Sequence, residues 1–211
     1  MSDVFAYVRD SLPPPPARVL EVGAGEGELA RALVDAGYDV LAIDPAATAA
    51  PVQPVALLEL SEPHASFDAA VACVSLHHVE PLEESCGRLA DVVRPGGRLI
   101  VDEFDIDQFD EPAAQWWIDR RTGGDHEPGT AAAVIERLRD HIHPVSRLVA
   151  ELEAFFDLEQ PLRGAYLYRW SMPDGLEPAE REAIASGAIP ATGIRFTATR
   201  RPIRRSAAHG S

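Results

Sequence analysis

The stretch "VLEVGAGEGELA", Val19 to Ala30, comes directly after a run of four prolines and Ala17–Arg18. An apolar run, an acid, three glycines within five residues and a helix-forming tail predict a buried strand, a tight turn and a helix. Glycines this dense belong where the backbone takes φ > 0 or where a ligand approaches the main chain closely. The strand-to-helix setting makes the turn a nucleotide-site candidate. Spacing then selects among nucleotides. A dinucleotide fingerprint puts its third glycine three places after the second. Here Gly23, Gly25 and Gly27 are evenly spaced, and Glu28 stands where that glycine should be. No G-K-[ST] follows, which excludes a P-loop. Glu21, Glu26 and Glu28 surround the positive end of the coming helix and would oppose a bound polyanion. A phosphate-free, partly cationic nucleotide suits these residues better.

The flanking chain predicts an α/β fold. Asp3 to Leu12 is weakly helical, and Pro13 to Pro16 form a stiff spacer. "RVLEV" is a short strand, "GELARALVDAG" a helix closed by Gly37, and "DVLAID" a second strand ending on Asp44. "VALLEL" reads as a third strand and "FDAAVACVSLHHV" contains a fourth, its continuous apolar run fitting a strand covered on both faces. "PLEESCGRLADVV" is an amphipathic helix, and "RPGG" turns the chain into a fifth strand, "RLIVDEF". That rhythm means a doubly wound, mostly parallel sheet with helices on both faces. Residues 105–150 read as a helical insert over the sheet, with Trp116, Trp117 and the loop "TGGDHEPG". "FFDLEQPLRGAYLYRW" resembles a strand, "EPAEREAIASGAIP" a helix, and "GIRFTATRR" a last strand.

These motifs, in this order, resemble the class I S-adenosylmethionine-dependent methyltransferases, particularly the small-molecule enzymes with a generic methyltransferase domain. The resemblance covers residues 17–104 well and the remainder in outline. It implies one Rossmann-like domain over residues 1–211, with a seven-stranded sheet whose last strand is antiparallel beside the fifth. Residues 1–16 would be its N-terminal helix and spacer, 105–150 an insert, 151–200 the closing strands and 201–211 a tail. It implies S-adenosylmethionine as cofactor. "LEVGAGEGELA" would bring Glu21, Gly23, Ala24, Gly25 and Gly27 to the methionine and adenosine, and "LAIDP" would bring Asp44 to the ribose hydroxyls with Pro45 beside it. Glu59 and Leu60 are the best match for the adenine position, although the chain is shortened there and the helix after Asp44 is nearly absent. Val74 and Ser75 follow from the fourth-strand motif, as do His77 and His78, with His78 the leading candidate for a base. Asp102 and Glu103 read as solvated acids on the cleft rim.

Other features narrow the partner. The chain has 211 residues, is 46% apolar, and carries 34 acids against 19 bases for a net charge of −15. Clustered positive charge, on which nucleic-acid binding leans, is absent apart from Arg200, Arg201, Arg204 and Arg205, which read as a tail balancing the acidic body. The expected partner is therefore a small-molecule methyl acceptor, with no nucleic acid and no membrane. Cys73 and Cys86 form no disulfide framework or metal spacing, and "MSDVFAYVRDSL" shows no secretory pattern, so a cytoplasmic protein is expected. His141 and His143, two apart, would fall on different faces of a helix, and no metal is expected. Tyr7 could close over the cofactor or simply pack its helix, and the second is favoured. Tyr166 and Tyr168 read as structural strand residues. The rival reading is a methyltransferase-fold protein without catalysis that serves as a regulator or partner.

Overall fold

A computed structural model describes residues 2–122 and 129–202. Its elements follow the predicted rhythm closely. Helix α1 (Ser2–Ser11) leads through the prolines to β1 (Arg18–Val22), α2 (Glu28–Asp35) and β2 (Asp39–Ile43). Then come β3 (Phe67–Cys73), α3 (Leu82–Val92) and the long β4 (Val93–Phe104). The insert holds α4 (Glu111–Ile118), α5 (Ala131–Arg139) and α6 (Val145–Leu152). Short strands β5 (Phe156–Leu158) and β6 (Leu162–Gly164), helix α7 (Glu177–Ala185) and β7 (Gly193–Arg200) complete the chain.

The sheet has seven strands in the order β2-β1-β3-β4-β7-β5, with β6 also on β7. Strands β1 to β4 are parallel, and β7 runs antiparallel to β4, β5 and β6. Strands β5 and β6 meet opposite ends of β7, at Arg200 and at Gly193. They are one edge strand interrupted at Gln160–Pro161, where proline cannot donate to a ladder. The strand predicted over "FFDLEQPLRGAYLYRW" is therefore present only in part: it is broken, and it stops at Gly164. Tyr166 and Tyr168 lie beyond it, at and within a 3-10 turn over Leu167–Arg169, not in a strand.

The strand expected at "VALLEL" does not form. Leu57–Glu59 make a 3-10 turn instead, and beside β2 only Gln53 bridges to Ile43. The burial pattern explains this: Leu57 and Leu60 are buried while Leu58 and Glu59 are exposed, a three-residue spacing that suits a helical turn and not a pleat. Pro51 and Pro54 also remove ladder donors on that edge.

Both sheet faces are covered. Leu20, Val22, Leu99 and Val101 pack with Leu89 of α3 and Leu148 of α6, whereas Val19, Val71 and Ile100 pack with Val8 of α1 and Leu33 of α2. Each such fully buried side chain contributes roughly 2 kcal/mol of hydrophobic stabilisation. Helix α1 is also held by polar contacts: the Tyr7 hydroxyl donates to the Val101 carbonyl at 3.3 Å, and Asp3 lies 2.8 Å from Arg195. Tyr7 thus packs its helix against the sheet. Arg200 donates to the Ala90 carbonyl and Arg201 pairs with Asp157, so this half of the basic cluster is bound into the fold. Arg204, Arg205 and the loop segment with His126 lie outside the described residues.

Candidate functional site

The glycine turn lies at the C-terminal ends of β1 and β2, the side of an open parallel sheet where ligands bind. Gly23, Gly25 and Gly27 all have positive φ. At Gly23 (φ +69°) a Cβ would lie 2.2 Å from the Ser75 Cβ, so no side chain fits. Ser75 fixes that approach by donating to the Val22 carbonyl at 2.7 Å. Asp44 holds the turn from the other side: its carboxylate accepts from the Gly25 amide at 2.9 Å and from the Ala46 amide at 2.8 Å.

Beside the turn is a cavity of about 480 Å³. Among the residues expected at the cofactor, Gly23, Asp44, Pro45, Val74 and Ser75 line it, and so does His78. Glu21, Ala24, Gly25 and Gly27 stand outside its lining. So do Glu59, which is exposed, and Leu60, which packs into the core. The apolar wall is built instead by Val55, Ala56, Leu57 and Val79. Sequence reading missed the first three because it took "VALLEL" as a strand; the Leu57/Leu60 spacing was the available signal.

Glu21 lies beneath the turn, 4% exposed, with its Oε2 lacking any hydrogen-bond partner among the described residues. Burial pushes its carboxyl up to about 7, against a donated backbone hydrogen bond from Ala30 and the charge of Arg31. His78 is pushed the other way: burial and then the neighbouring His77 lower its pKa, which favours the neutral imidazole.

The acids at the end of β4 are not on a solvated rim. Asp102 is 1% exposed and Glu103 is 0% exposed. Asp102 meets Arg169 and Arg195, each at 3.0 Å, on the α1 side of the sheet. Glu103 faces the opposite side, where one oxygen accepts from the Ser75 amide at 2.9 Å and the Leu76 amide at 2.7 Å. Its other oxygen pairs with Nδ1 of His77. Between these clamps, Val74 has φ +54° and donates its amide to the Asp102 carbonyl. For a β-branched residue that conformation costs roughly 1–3 kcal/mol and persists only when neighbours impose it.

Above β4 the insert, Phe104 and the segment 166–170 form an aromatic cap. Trp117 stacks on Trp170 with centroids 4.3 Å apart, and Phe104 lies 5.1 Å from Tyr166 and 5.8 Å from Trp170. Trp116 and Trp117 are both buried in this cluster, and Val74 packs against it from the cavity side. Burial, then Glu103, raises the Tyr166 hydroxyl pKa above its ordinary value. The cap is anchored by Glu180 of α7, a fully buried carboxylate that accepts from the Tyr166, Leu167 and Tyr168 amides at 2.7–2.9 Å. His141 and His143 occupy the connection between α5 and α6, not a helix. The His143 amide donates to the His77 carbonyl, and its ring meets Glu80 at 2.9 Å. Among the described residues no cluster of three or more His, Cys, Asp or Glu could hold a metal ion, and no helix is long and apolar enough to cross a membrane.

Comparison with known proteins matches residues 1–147 to a family described as a methyltransferase domain. The chain belongs to that family. A relative in Mycobacterium tuberculosis, an uncharacterised methyltransferase, is 41% identical over 98 residues, spanning 42% of this chain and 40% of that protein. The matched segment thus covers well under half the length of this relative. A solved S-adenosylmethionine-dependent methyltransferase from Mesorhizobium loti superposes with a TM-score of 0.59 at 19% identity, covering 92% of this chain and 95% of that one. A Burkholderia thailandensis 1,6-didemethyltoxoflavin-N1-methyltransferase, solved with 1,6-didemethyltoxoflavin and S-adenosylhomocysteine, gives 0.56 at 18% identity over 95% of this chain and 77% of that one. At these identities the structural likeness establishes the fold: that of the S-adenosylmethionine-dependent methyltransferases.

Proposed function

We propose that this methyltransferase uses S-adenosylmethionine and transfers its methyl group to a small organic acceptor. The observation that carries this reading is the cavity at the strand ends, with Asp44 and the glycine turn on one side and apolar Leu57 and Val55 on the other. Its volume lies within the range of small-molecule sites. A nucleoside with a hydroxyl-bearing sugar and no phosphate suits these groups. Asp44 offers a carboxylate to the ribose hydroxyls, and Val55, Ala56 and Leu57 offer an apolar bed for the adenine. The acidic character of the chain favours a cationic ligand in the same way.

When bound, the cofactor supplies a methyl group on cationic sulfur with a neutral leaving group. The chain's own task is then alignment and exclusion of water, plus removal of a proton where the acceptor carries one. Gly23, Pro45, Val74 and Ser75 would shape the cofactor side, with His78 on the cavity wall and His77 buried against Glu103. A small-molecule acceptor is supported by that cap and by the net charge of −15. The Burkholderia enzyme, solved with bound 1,6-didemethyltoxoflavin, gives one instance of a small molecule held on this fold.

Calorimetric titration with S-adenosylmethionine, S-adenosylhomocysteine and NAD tests the reading. Micromolar binding of the first two and none of the third is expected. Asp44→Ala should weaken cofactor binding by about tenfold or more, the loss of a charge-assisted hydrogen bond. Binding of neither sulfur nucleoside would favour a regulator that has lost the cofactor.

A further inference from the structure

We propose that the Ser85 hydroxyl accepts from the 6-amino group of the cofactor's adenine, in the role for which an acid was expected. This rests on the methyltransferase reading and deepens it at the base end of the same cavity. The expected acid is not there: Glu59 is exposed and stands outside the lining. The wall found in its place, Val55, Ala56, Leu57 and Val79, carries no polar side-chain atom. A purine laid on that wall still has a polar edge, and a buried donor left without an acceptor is costly. Some other group of the chain has to receive the amino hydrogen.

Ser85 lies in α3, lines the cavity and is 1% exposed. Its amide donates to the Pro81 carbonyl at 3.2 Å, but its Oγ has no hydrogen-bond partner among the described residues. A serine hydroxyl inside a helix commonly turns back to a main-chain carbonyl, and this one does not. For packing alone alanine would serve better, since it is the stronger helix former and strands no hydroxyl. Serine re-aims its oxygen by a single rotation about χ1, so the hydroxyl can meet a base that enters the cavity its residue lines. Helix α3 also belongs to the base end. Leu57 packs with Leu82, Cys86 and Leu89 of α3, and Arg88 donates to the Leu60 and Glu62 carbonyls, each at 2.6 Å. These contacts hold the 3-10 turn against the helix that carries Ser85. The other side-chain oxygens on the lining are engaged. Asp44 is on the amides of the glycine turn at the sugar end, Ser75 is on the Val22 carbonyl, and Glu80 meets His143 at 2.9 Å.

Calorimetric titration with S-adenosylhomocysteine, and with its analogue bearing purine in place of adenine, tests this without turnover. The analogue lacks only the 6-amino group. The wild type should bind the adenine ligand about tenfold tighter than the purine one. Ser85→Ala should weaken the adenine ligand about tenfold and leave the purine ligand within about twofold, which erases the preference. Because that substitution removes a stranded hydroxyl, the ligand-free variant should unfold at the wild-type temperature or above it. That separates lost affinity from damage to the fold. Asp44→Ala acts at the sugar end and should weaken both ligands alike. Equal binding of the two ligands by the wild type would overturn the proposal with no variant needed, and so would a preference that survives Ser85→Ala. If neither ligand binds the wild type, the methyltransferase reading falls and the role of Ser85 falls with it.

Discussion

The two halves of the strand-end rim are built by opposite means. On the β1–β2 side the site is main chain: glycines at positive φ, a carboxylate on backbone amides, and a cavity beside them. On the β3–β4 side it is side chain: Glu103 beneath His77, Glu180 beneath the cap, and stacked aromatic rings. A backbone site needs residues in one short stretch, since the chain must bend there and nowhere else. A side-chain site is assembled from residues far apart, and each is individually ordinary.

The largest effect should come from breaking the backbone half. Gly23→Ala introduces a methyl 2.2 Å from the Ser75 Cβ at a φ of +69°, with the Ser75 hydroxyl tied to Val22. We expect a loss of more than about 3 kcal/mol in denaturant unfolding, and cofactor binding weakened about a hundredfold or more. A variant that folds and binds normally would show that the turn is looser than its contacts require.

Next comes the anchor of the cap. Glu180→Ala leaves two buried amides and one half-buried amide without an acceptor, which should cost about 3 kcal/mol. The damage should stay on the acceptor side: tryptophan emission should shift to the red while S-adenosylhomocysteine affinity changes by less than about threefold. Equal loss on both sides would mean the halves are one cooperative unit.

The contrast also explains what was legible in the sequence. Gly23, Asp44, Pro45, Val74 and Ser75 were readable because a motif fixes them relative to a strand end, and all five line the cavity. The antiparallel β7 was legible only through the family resemblance, which sets such a last strand beside the fifth, and it pairs with β4 there. Glu103 and Asp102 were misjudged as rim acids because their partners, His77, Arg169 and Arg195, are up to 93 residues away. Glu180 carried no local signal at all. In "PAEREAI" it is indistinguishable from a solvated helix acid, and only the fold brings the three amides to it.

Glu21 sharpens the comparison at the backbone half, through pH. In the folded chain its carboxyl titrates at about 7 instead of 4.5, so between those values the folded state holds a proton that the unfolded chain has released. Stability should therefore fall as pH rises through this window, by up to about 3 kcal/mol, and level off above it. Glu21→Gln should flatten that slope and be the more stable protein at pH 8. A wild-type slope of opposite sign, or none, would mean that the carboxyl finds a donor in solution.

The smallest effect is expected where sequence and structure disagree. Glu59 was expected beside the adenine, yet it is exposed and outside the cavity, whereas Leu57 lines it and is buried. The 3-10 turn decides this: with three residues per turn, Leu57 and Leu60 share the inner face and Glu59 cannot. Glu59→Ala should leave cofactor affinity unchanged within about twofold. Leu57→Asp, which sets a charge on the apolar wall, should weaken it about tenfold or more. If Glu59→Ala were the damaging change, the segment would have to adopt a pleated conformation when the nucleoside binds. The edge of the sheet would then be completed by the ligand and not by the chain alone.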